Sequence, residues 1–91
     1  MSVSTKVKII AESASYLCRK FDETRGSFES GAFKRAKAQH WAAEELANGR
    51  VLSESAKKAV DQCHVDWNDL VDRLRSRGPK FQDGVADVPG E

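Results

Sequence analysis

The chain has 91 residues, enough for one hydrophobic core and too few for a second domain. Its hydrophobic set makes up 40% and its charged set 32%, a balance that excludes general disorder, and no apolar run approaches the roughly 18 residues of a membrane span. Fifteen basic against fourteen acidic side chains leave a net charge of +1, which advertises no polyanion as partner.

Lys6 and Lys8 interrupt the apolar stretch nearest the start, so that stretch does not read as an export signal. The expectation is a cytoplasmic protein in which Cys18 and Cys63 are reduced thiols, buried as small hydrophobes. In the first breaker-free stretch, Val3, Val7, Ile10, Ala14, Leu17 and Phe21 recur at spacings of 4, 3, 4, 3 and 4. That periodicity predicts a helix over about residues 5–21, although residues 7–10 also suit extended chain.

A loop follows, and Ser30 or Ser27 is placed to cap a second helix over residues 31–47, stopped by a left-handed turn at Asn48-Gly49. Ala32, Phe33, Ala36, His40, Ala43, Leu46 and Ala47 share one face, and most are small. Small side chains permit close approach from two sides, which predicts that this helix is the middle layer. The third helix, over residues 54–77, has Ser53 as its cap and Ala56, Val60, Cys63, Trp67, Leu70 and Leu74 as its apolar stripe; Gly78-Pro79 ends it. The short connection before it makes the second and third helices antiparallel neighbours.

The fold class is therefore all-α, a small three-helix bundle over residues 1–78 with a flexible C-terminal tail over 79–91, whose Phe81 can fold back onto the bundle. Eleven large apolar side chains make a thin core, each contributing about 1.5–3 kcal/mol against a comparable ordering cost. Dimerisation, or docking on a partner, would add burial that such a core lacks.

Nothing in the sequence reads as an enzyme. There is no phosphate loop, no G-x-S-x-G and no H-E-x-x-H. Cys63 and His64 are adjacent and point about 100° apart on a helix, so they are not a nucleophile and its base. Cys18, Cys63, His40 and His64 lack the close ligand pairs of structural zinc, so neither metal nor cofactor is expected. Helices two and three resemble a helix-turn-helix in outline, and Lys34, Arg35 and Lys37 with the C-terminal arginines are the residues a DNA-associated regulator would use. Yet Asp61, Asp66, Asp69 and Asp72 would turn four carboxylates toward phosphate, which disfavours nucleic acid.

Protein binding is what remains. Trp41 lies off the apolar arc of its helix, either packing against helix one or standing exposed as an interface anchor. Val65 lies opposite the stripe of helix three and matters only if it joins a larger patch.

The stretch Gly31-Ala-Phe, His40-Trp-Ala-Ala, Leu46-Ala-Asn-Gly-Arg-Val-Leu-Ser53, Cys63-His, Trp67 and Leu70-Val resembles small bacterial quorum-sensing antiactivators of the QslA type, over residues 31–74. The resemblance implies a helical protein that binds a transcription activator and breaks up its dimer, with no ligand. Size and helicity are also similar to those of phage-made inhibitors of host proteins, the anti-CRISPR proteins among them. The expected function is thus a non-enzymatic regulator, itself a candidate homodimer, that sterically covers a functional interface on another protein. Its expected partner-binding residues are Trp41, Phe33, Lys37 and Phe28.

Overall fold

The computed structural model describes residues 2–23 and 29–76; Phe28, Ser27 and the expected tail lie outside the described residues. Three helices are present, α1 over Val3–Glu23, α2 over Gly31–Ala47 and α3 over Glu54–Arg75, and the described residues contain no strand. The all-α three-helix architecture is as the periodicity predicts.

Local chemistry sets the boundaries. The Ser2 hydroxyl accepts from the Thr5 N–H at 3.2 Å, and the Lys6 N–H donates to the Ser2 carbonyl at 3.1 Å. This cap starts α1 two residues before the expected Thr5, and residues 7–10 are helical rather than extended. At α2 the capping serine is Ser30, whose hydroxyl accepts from the Phe33 N–H at 3.0 Å. Gly49 supplies the left-handed residue of the stop, with φ 71°, a conformation that costs a residue with a Cβ about 1–2 kcal/mol. Ser53 caps α3 by accepting from the Ala56 N–H at 3.3 Å, and its own N–H donates to Ser4 Oγ at 2.9 Å, tying the start of α3 to the first turn of α1.

The layering differs from the expectation. The middle helix is α1, packed extensively against both others, whereas α2 and α3 approach each other much less closely. The physical reason lies in side-chain size. Val7, Ala11, Ala14, Ser15 and Cys18 all face inward on α1, and Ala36 and Ala43 do so on α2, so backbones come close along α1. Between α2 and α3 stand the rings of Phe33, His40 and Trp67, which hold those helices apart. Serving two neighbours also turns the buried face of α1 toward Ala11, Ser15 and Cys18, leaving Ile10 and Leu17 half-buried at its edge.

Two apolar clusters fill the interior. Phe21, Phe33, Trp67, Leu70, Val71 and Leu74 form the larger, with Cys18 and Ala36; Ala11, Ala14, Ala43 and Cys63 form the smaller. An exposed ion pair, Arg19 to Asp66 at 3.1 Å, joins α1 to α3 outside the core. No described helix is long and apolar enough to cross a membrane.

Candidate functional site

Near the connection of α2 and α3 lies an open, shallow groove of about 540 Å³, lined by Trp41, Glu44, Glu45, Ala47, Asn48, Val60 and His64. A column of rings leads into it. Phe33 and His40 lie seven residues apart on one face of α2 and clasp Trp67 of α3, with ring centroids 5.4 Å and 5.1 Å from the indole. His64 meets His40 edge-on at 5.1 Å and forms part of the groove wall.

His40 is the chemical centre of this arrangement. The residue is 5% exposed, its Nδ1 lies 3.5 Å from Cys63 Sγ, and its Nε2 lies 2.9 Å from Glu44 Oε1. Burial is the largest influence on the imidazole and lowers its pKa below 6.5; Glu44 opposes this and His64 reinforces it. The Cys63 thiol is pushed up to about 11, first by burial and then by Asp66 and Glu44. One proton placement satisfies all three groups at neutral pH: the Cys63 S–H donates to Nδ1, and the Nε2–H of a neutral His40 donates to the Glu44 carboxylate.

Cysteine, histidine and carboxylate therefore stand in the order of nucleophile, base and orienting group. Burial works against that use, because Cys63 is enclosed and holds its proton at neutral pH, whereas a nucleophilic cysteine is a thiolate within reach of substrate. The through-space pair is Cys63 with His40, not Cys63 with its neighbour His64. Cys18 is likewise a buried free thiol, pushed up to about 12 by burial first.

Neither cysteine belongs to the set of donor atoms that converge, although Cys63 Sγ meets the Nδ1 of one of its members, His40. The set is His40, Glu44 and His64, whose ligand-type atoms all lie within 4.8 Å of one another; Glu44 Oε2 is 3.8 Å from His64 Nε2. Glu44 was absent from the expected donor set, although His40-x-x-x-Glu44 is a spacing that puts both side chains on one face of a helix.

Of the expected partner-binding residues, three form a ladder on α2. Lys37 Nζ lies 5.6 Å from the ring centroid of Trp41 and 5.9 Å from that of Phe33, one turn away in each direction. Their exposure separates them. Trp41 is 45% exposed at the rim of the groove, so it is not a core side chain. Phe33 is 2% exposed, which corrects its expected place at a binding surface: it is a core side chain clasping Trp67, and only Lys37 and Trp41 of the ladder face outward. Phe28 lies outside the described residues.

Three exposed apolar side chains were not anticipated, Val51 in the connection before α3 and two on α1. Ile9 and Tyr16, 51% and 57% exposed, lie seven residues apart on the outer face of α1. That i, i+7 spacing off the core stripe was the available signal. Val65 stands exposed on α3, away from the core stripe. Comparison of the chain with models of protein families, with curated proteins and with solved structures gave no match.

Proposed function

We propose that the protein is a non-enzymatic binding module that regulates another protein, a transcription activator in the favoured case, by sterically covering the surface through which that target dimerises or acts. The observation that carries this reading is Trp41. A tryptophan left nearly half exposed beside a groove, with the Lys37 ammonium over its ring, offers a large rigid apolar surface with a charged border. Such residues dominate the energy of protein interfaces. The choice of an activator as the target rests on the sequence reading of residues 31–74 alone. Helix α3 adds an argument against nucleic acid, since Asp61, Asp69 and Asp72 are all exposed on it.

The test is capture from nuclease-treated bacterial lysate at moderate salt, with wild type and Trp41→Ala side by side. A single protein held by the wild type and lost by a folded Trp41→Ala variant is the expected result. Capture of nucleic acid alone, or of the same protein equally by both forms, would overturn the assignment. The second reading, a DNA-associated regulator using Lys34, Arg35 and Lys37, predicts binding that weakens steeply with salt.

A further inference from the structure

We propose that His40, Glu44 and His64 form a binding site for a divalent transition metal of the zinc class, one that ties α2 to α3 and keeps a coordination position open to the groove. The inference rests on the convergence of three donors and is independent of the partner-binding reading.

Two neutral imidazoles and one carboxylate are a donor set that suits zinc and its first-row neighbours and discriminates against magnesium and calcium, which prefer oxygen. Helical geometry supplies two of the three, since His40 and Glu44 are one turn apart on α2 and already meet at 2.9 Å. The third comes from α3, with His64 Nε2 at 3.8 Å from the other Glu44 oxygen. Tetrahedral coordination with bonds of about 2.0–2.2 Å requires donors roughly 3.3–3.6 Å apart. The three donor atoms span at most 4.8 Å, and His64 is only half-buried at the groove wall, so a side-chain rotation there closes the remainder.

The surroundings support the ligand that cannot rotate. Trp67 stacks on the His40 ring at an interplanar angle of 14°, and Cys63 Sγ faces Nδ1 at 3.5 Å. When Nε2 takes the metal, the imidazole proton resides on Nδ1 and the Cys63 sulfur becomes its acceptor, while the thiol hydrogen turns away. No net proton leaves His40 in this exchange. An outer partner on the second ring nitrogen is what metal-ligating histidines commonly have. With three protein ligands, the fourth position faces the groove, where water or a donor from another molecule can enter.

The site also joins the two helices that pack least closely, so occupancy should be visible in stability as well as in binding. The experiment uses the tag-free chain stripped with chelator and titrated with Zn²⁺ by calorimetry. Co²⁺ serves as an absorbing substitute, and thermal melts are run with and without Zn²⁺. One ion per chain, a visible Co²⁺ spectrum and a raised melting temperature are expected. His64→Ala and Glu44→Gln, both at partly exposed positions, should each weaken binding at least about 100-fold, and Glu45→Gln should leave it unchanged. Absence of saturable binding, or binding equally strong in His64→Ala and Glu44→Gln, would overturn the proposal.

Discussion

Cys18 and Cys63 carry the same physical message at the scale of single residues: a thiol enclosed by apolar side chains keeps its proton. Their folded values, about 12 and about 11, stand above the ordinary value of 9.0. Between those limits the unfolded chain releases protons that the folded chain retains, so the stabilising contribution is complete below pH 9 and declines as pH rises above it. Denaturant melts should therefore show lower stability at pH 10 than at pH 8. Cys18→Ala should flatten that slope; an unchanged slope would mean that other groups cause it. Ser15 is the opposite case, a buried hydroxyl on α1 with no hydrogen-bond partner among the described residues. Leaving such a group unmet costs about 1–3 kcal/mol, and alanine is also the better helix former. Ser15→Ala is expected to raise the melting temperature by about 4–8 °C for each kcal/mol gained, as read by circular dichroism. A lower melting temperature would show that the hydroxyl contributes a bond of its own.

At the scale of elements, the helices were legible in the sequence and their arrangement was not. Boundaries depend on neighbours in the chain: Ser30 and Ser53 cap where their sequence context says they should, and Gly49 turns left-handed after Ala47. Layering depends on how close two backbones can come, a property of faces that meet only in the fold. The alanines of α2 suggested a central helix, yet the small residues of α1 outweigh them, because Ala11, Ala14, Ser15 and Cys18 form one broad inward surface. The site divides in the same way. The His40–Glu44 pair could be read from helical spacing, but Cys63 beside His40 and His64 beside Glu44 join different helices. If close approach along α1 organises the bundle, Ala14→Leu should cost at least about 1–3 kcal/mol through overpacking, lowering the melting temperature by 4 °C or more. A variant as stable as wild type would contradict the central position of α1.

For the whole molecule, the interior and the surface assign different tasks to neighbouring residues. Phe33 spends its ring inside, clasping Trp67, while Trp41 two turns on keeps much of its ring outside at the groove. A thin core, with six large apolar side chains in one cluster and only alanine and cysteine buried in the other, leaves such a domain with modest stability alone, and covering the Trp41 face would add burial. The steric mechanism makes a claim about mass that activity assays do not. The most direct measurement is sedimentation of the captured target with no regulator, with wild type and with Trp41→Ala. The account predicts that wild type converts a target dimer into a complex containing one target chain, and that Trp41→Ala leaves the dimer intact. A complex that still contains the target dimer, or dissociation equally strong with Trp41→Ala, would contradict it.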